Sequence, residues 1–209
     1  MGRKAGQSYI SQRMFHAAEV VGFDNFIPPF ATAKGPKILK GVNDGSGVAG
    51  IRDETGYRWG DRISMNRQLL NRQVTILRIT SLLGNNVTAA KSLLNKCLYT
   101  VDMGNNDYLN NYLQPKVYPS SLLYAPEKFA DVLAQQFSRQ LKVICTLNGC
   151  GARKVAVSDI GLLGCLPEET RVFGRNASGC VDFINNYVHL FNDKLKPLID
   201  DLNINVSCF

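Results

Sequence analysis

The order of apolar and polar positions divides the chain into alternating helical and extended stretches. From Gln7 to Val21 the apolar residues Ile10, Met14, Ala17 or Ala18, and Val21 recur at helical spacing, and Gly22 closes the run. The sequence FIPPF then forces an extended turn. A short apolar run from Ile38 to Val42 predicts a strand that opens into the glycine-rich GVNDGSGVAGI. Ile63, Leu70, Val74 and Leu77 predict a helix stopping near Gly84, and Thr88 to Asn95 a shorter one. CLYTVDM, with β-formers at Tyr99, Thr100 and Val101, reads as a strand.

Pro126 opens a long helix at its first turn, with Phe129, Leu133, Phe137, Leu141 and Ile144 along one face, ending in a cluster of glycines. KVAVS, Lys154 to Ser158, predicts a further buried strand, followed by the loop DIGLLGCLP. A last helix carries Val181, Ile184, Val188, Phe191, Leu195, Leu198 and Leu202, with Pro197 expected to kink it or end it early. Strand and helix alternate throughout. This predicts a single α/β domain over residues 1–209, a mostly parallel sheet covered on both faces.

Composition changes this picture little. The chain has 209 residues, 45% of them hydrophobic, enough for the core of one domain. A net charge of +7 could suit an anionic partner, but the basic residues are scattered and the densest groups, Arg3 with Lys4 and Arg153 with Lys154, are too short for a nucleic-acid arm. Nucleic acid is therefore not an expected partner. No run approaches the roughly 18 apolar residues of a membrane span, so no integral membrane association is expected. The start MGRKAGQSYI has no signal-peptide core and misses the myristoylation pattern at Gly6, which predicts an intracellular chain if that start is genuine. Against this stand six cysteines (Cys97, Cys145, Cys150, Cys165, Cys180, Cys208) and three glycosylation sequons at Asn86, Asn176 and Asn205. Without C-x-x-C spacing a zinc site is not expected, and a disulfide in an oxidising compartment is the better reading.

Two loops follow strands and carry candidate chemistry: NDGSGVAG after Val42 and GNND after Met103. Ligands of an open parallel sheet gather beyond the carboxyl ends of its strands. Glycines admit a close backbone N–H and an Asn adds a neutral donor, a pair that can stabilise an oxyanion. On spacing alone both loops read first as turns, since Gly, Asn and Asp supply positive φ and local bonds. The first lacks the endings of a phosphate loop, and DGSG is not a G-x-S-x-G elbow. His16 and His189 sit within predicted helices and read as surface or boundary residues. Asp53, Glu54, Glu168 and Glu169 read as solvated loop charges rather than an acid/base couple. No cofactor or metal motif is present.

FDNFIPPFATA, ILKGVNDGSGVAGIRDETG, GDRISMNRQLLN, KCLYTVDMGNNDYLNNY, APEKFADVLAQQFSRQLK, GARKVAVSDIGLLGCLP and NDKLKPLI, in this order from about Gly22 to Asn203, resemble the plant GDSL esterase/lipases of the SGNH hydrolase superfamily. The resemblance implies a three-layer α/β/α fold, secretion, and hydrolysis of small acyl esters or lipids by a Ser nucleophile with an Asp/His pair. GNND is similar to the family's G-x-N-D block, which gives Asn106 the role of oxyanion donor. The glycine loop is similar to the glycine block, with Gly50 as the second donor and Gly47 and Gly45 as alternatives of register. The GDSL block would lie before Met1 and the D-x-x-H block beyond Phe209. The implied domain thus lacks the family's first strand and its C-terminal part, and as it stands is expected to be inactive, a non-catalytic remnant or an acyl-ligand or partner-binding protein being the alternative. VICTLNGC runs longer than the family's usual junction, and Asp44 replaces its more usual Tyr. Cys165 and Cys180, in matching segments, are the implied disulfide.

Overall fold

The computed structural model describes residues 27–147, 154–174 and 179–206. The expected first helix with His16, the glycine cluster after the long helix, Cys150, Asn176 and Cys208 lie outside the described residues.

Strand β1 (Tyr99–Val101) pairs in parallel with β2 (Val155–Val157), Tyr99 opposite Val155 and Val101 opposite Val157. Parallel neighbours need a long crossover, and helix α3 (Pro126–Leu147) supplies it. We number the two helices before β1 as α1 (Met65–Leu82) and α2 (Val87–Leu94), and the two after β2 as α4 (Pro167–Phe173) and α5 (Asp182–Val206).

The predicted stripe of α3 is the centre of the core: Phe129, Leu133, Phe137, Leu141 and Ile144 are all buried. They meet Val181, Ile184, Val188, Phe191, Leu195 and Leu202 at α5, with the Phe137 and Phe191 rings 6.2 Å apart. Lys194 adds an ion pair to Asp131 at 2.7 Å across the same helix pair. This packing overrides the expectation at Pro197, which lies inside an uninterrupted α5. A proline within a helix costs about 3 kcal/mol. Leu195 and Leu202, buried on either side of it, hold both halves against the core.

Two other expectations are corrected. Ile38 to Val42 is not a strand: Gly35–Lys40 forms a 3₁₀ helix with Pro36 in its first turn, and Ile38 is buried beside Ala33, Ile79, Ala90 and Leu94. The chain becomes extended only beyond it, where Asn43 bridges Pro29. Helix α1 forms where predicted but buries Met65, Leu69, Thr75 and Ile79, whereas Leu70 and Leu77 are 58% and 69% exposed. Its apolar residues occupy more than one face, so periodicity does not choose the face. The choice falls to two separate clusters, one gripping Met65 and Leu69 and the other Ile79. The strand in KVAVS is less buried than expected, with Ala156 and its partner Thr100 exposed. No helix among the described residues is long and apolar enough to cross a membrane.

Candidate functional site

The site begins where β1 stops. Gly104 has φ 116°, and a Cβ there would stand 2.6 Å from Ile160 Cδ1, so only glycine makes this turn. The chain enters a helical turn, Asn105–Asp107, and continues into a π-helical segment, Tyr108–Tyr112, in which Asn110 departs to φ −112° and ψ 19°. Asn106 and Asp107 are thereby held at the carboxyl end of the strand.

Asp107, fully buried, reaches across to the glycine-rich loop. Its Oδ2 accepts the Ile51 N–H at 2.7 Å, and its Oδ1 accepts the Arg52 N–H at 3.0 Å and the Thr55 hydroxyl at 2.7 Å. Thr55 Oγ1 accepts from Asn111 Nδ2 at 3.0 Å, and Asn111 Oδ1 from the Ser120 hydroxyl at 2.6 Å. The Ile51 carbonyl accepts from Gln136 and Gln140 of α3 at 2.7 and 2.9 Å. The backbone after Gly50 is therefore bonded on both sides. Gly50 itself fills a gap with no spare volume, because a Cβ would lie 2.5 Å from Asp107 Oδ2 and 2.6 Å from Thr55 Cγ2.

The loops that carry the two residues picked from the sequence, Gly50 and Asn106, meet. Asn106 Nδ2 donates to the carbonyl of Ala49, the residue before Gly50, at 2.8 Å, and Asn106 Oδ1 accepts from Asn110 Nδ2 at 2.7 Å. The amide nitrogen carries two protons, so one stays available after the bond to Ala49. The buried Gly50 N–H has no bonding partner among the described residues. Gly45 and Gly47 lie on the exposed part of the loop, and Gly45 donates to Asn43 Oδ1 at 2.9 Å. Burial pushes the Asp107 carboxyl up to about 6, against the pull of the two backbone N–H groups and the Thr55 hydroxyl.

The other candidates stay apart from this point. His189 is exposed on α5. Glu54 pairs with Arg52, and Asp53 accepts from Asn66 at 2.8 Å. Glu168 pairs with Arg171, both exposed. Glu168 and Glu169 are a correction: both lie in the first turn of α4 rather than a loop, and Glu169 is buried as well, its carboxyl raised by burial and then by Glu168. Among the described residues no group of His, Cys, Asp or Glu could hold a metal ion. Cys165 and Cys180 are joined in a disulfide, Cys145 is disulfide-bonded, and Cys97 is a free thiol. Asn86 caps α2 by accepting the Ala89 N–H, and both Asn86 and Asn205 are exposed.

Sequence reasoning missed the frame. Asp107 follows Asn106 directly and could have been found as the acid of the G-x-N-D block. Thr55, Asn111, Ser120 and Gln140 carry no such signal, being ordinary polar residues in amphipathic or loop segments.

A parallel strand pair with a helical crossover, and polar loops meeting beyond one strand's carboxyl end, fits an α/β hydrolase-like fold. The chain belongs to the GDSL-like lipase/acylhydrolase family, whose profile matches residues 4–205. Two GDSL esterase/lipases of Arabidopsis thaliana are 44% and 42% identical to it, over 90% and 88% of the chain and 50% of each relative. GDSL esterase/lipase 7 of the same plant is 41% identical over 85% of the chain and 49% of its own length. The chain thus spans about half the length of the curated relatives it matches. No solved structure matches it significantly.

Proposed function

We propose that the chain carries the oxyanion-stabilising part of a carboxylic ester hydrolase acting on acyl esters or lipids. The Gly50 N–H and the Asn106 amide are the two donors, and the carbonyl oxygen of the ester moves between them as it becomes the oxyanion of the tetrahedral intermediate. What supports this reading is the meeting of the two loops, where Asn106 Nδ2 donates to Ala49 O at 2.8 Å, together with a Gly50 N–H that has no partner among the described residues. A hydrolase of this type attacks the acyl carbon with a serine Oγ whose proton passes to a histidine held by an aspartate. Within these 209 residues no serine stands in a GDSL block and no histidine in a D-x-x-H block. Acting alone, this chain therefore turns over esters far below triad rates, since losing nucleophile or base costs about a millionfold.

The test is hydrolysis of p-nitrophenyl acetate and butyrate by the chain and by its Asn106→Ala variant. A slow turnover that falls with the substitution is the expected result. Turnover indifferent to Asn106 would sink the assignment of that residue, and none at all would favour a non-catalytic acyl-binding role. The disulfides and the exposed sequon at Asn86 favour an extracellular or secretory location, where thiols oxidise and glycans are added.

A further inference from the structure

Trp59 is the one tryptophan of the chain, and 63% of its surface is exposed although it is large and aromatic. It stands on a 3₁₀ turn, Tyr57–Trp59, docked against the segment after GNND. The Gly56 N–H donates to the Asn110 carbonyl at 3.3 Å, and the Tyr57 hydroxyl to the Val117 carbonyl at 3.2 Å. Arg58 lies 5.5 Å from the centre of the indole ring. The indole Nε1–H donates to Asn110 Oδ1 at 2.9 Å.

That bond has a polarity. An indole N–H can only donate, so Asn110 must offer Trp59 its oxygen, which leaves its Nδ2 to donate to Asn106 Oδ1 at 2.7 Å. Asn106, having accepted there, presents Nδ2 to the Ala49 carbonyl, which can only accept. A donor-only group and an acceptor-only group thus bound two amides in series. Turning either amide over sets donor against donor or acceptor against acceptor, and a single orientation of both satisfies all three bonds.

We infer that Trp59 is a positioning residue: through Asn110, its indole N–H sets which end of the Asn106 amide faces the Gly50 loop. The catalytic consequence rests on the reading of Asn106 as an oxyanion donor, whereas the orientation of the amide does not.

The test uses the full chain labelled with ¹⁵N. Its single indole N–H signal identifies itself, and the Asn106 side-chain pair is the one lost in Asn106→Ala. The relay predicts that Asn106→Ala shifts the indole signal, although the hydrogen bonds link the two side chains only through Asn110. It also predicts that Trp59→Phe and Asn110→Asp each shift the Asn106 pair. Asn110→Asp is nearly isosteric and keeps an acceptor for Trp59 but confronts Asn106 Oδ1 with a second acceptor, so it tests the link from Asn110 to Asn106, and Trp59→Phe tests whether the indole acts through that link. An indole signal unmoved by Asn106→Ala, together with an Asn106 pair unmoved by Asn110→Asp, overturns the inference. Backbone spectra check folding, and Trp59→Leu serves if Trp59→Phe fails that check. Where the chain turns over p-nitrophenyl acetate and Asn106→Ala lowers it, Trp59→Phe should lower kcat by about tenfold at unchanged KM, as loose positioning does. It should add nothing on the Asn106→Ala background, and full additivity there overturns the relay. Turnover indifferent to Asn106→Ala refutes the oxyanion reading alone, and the spectra still decide the relay.

Discussion

The side-chain amide of Asn106 donates to the main-chain carbonyl of Ala49 at 2.8 Å across 57 residues of sequence. One residue beyond Asn106 and two beyond Ala49, Asp107 grips the Ile51 N–H at 2.7 Å. Two loops far apart in sequence are joined into a single unit through these bonds.

Gly50→Ala should unfold or strongly loosen the domain. The new methyl would press on both oxygens of Asp107, at 2.5 and 2.6 Å, and on Thr55 Cγ2. Overpacking of this kind costs about 1–3 kcal/mol, and displacing Asp107 adds the penalty of its unpaired donors. Urea denaturation measures it. A midpoint equal to that of the unsubstituted chain would contradict the proposed tightness of the loop.

Asp107→Ala should cost about 3–5 kcal/mol, because it strands two backbone N–H groups and the buried Thr55 hydroxyl without an acceptor. Asp107→Asn should cost less, since one oxygen remains to accept. The ranking of the two variants by thermal melting is the check, and equal losses would mean that charge rather than bonding matters.

Asp44 supplies a pH dependence. Burial raises its carboxyl from 3.8 to about 6 against the lowering effect of Arg72, and its Oδ1 has no hydrogen-bond partner. Folding thus favours the protonated form. The stability it contributes is complete below pH 3.8, where both states hold the proton, and is lost as pH rises through about 6. Allowing for its partial exposure, Asp44→Asn should stabilise the chain by about 2 kcal/mol at pH 7 and by little at pH 3.5. Melting curves of the two proteins that keep a constant separation across this range would refute it.

The Cys165–Cys180 disulfide closes a loop of 15 residues beside the start of α5. Loop-closure entropy gives such a crosslink about 3 kcal/mol. The double substitution Cys165→Ala, Cys180→Ala should lower the melting temperature accordingly, whereas Cys97→Ala, at a free thiol, should leave it nearly unchanged. A reversed order would show that the crosslink strains the native state.

Sequence pattern alone determined what depends on near neighbours. The stripe on α3 and the β-formers of β1 express local geometry, so Phe129 to Ile144 and Tyr99 to Val101 were legible, whereas the candidates Gly50 and Asn106 came from a family resemblance and not from spacing. Tertiary structure decided what depends on distant partners. Which face of α1 is buried, whether Ile38 extends or curls, and whether α5 survives Pro197 were settled by clusters assembled from remote segments. The frame of Asp107, Thr55, Asn111, Ser120 and Gln140 was decided there as well. A buried polar group must find its partners wherever the fold brings them, and nothing in local spacing records where that will be.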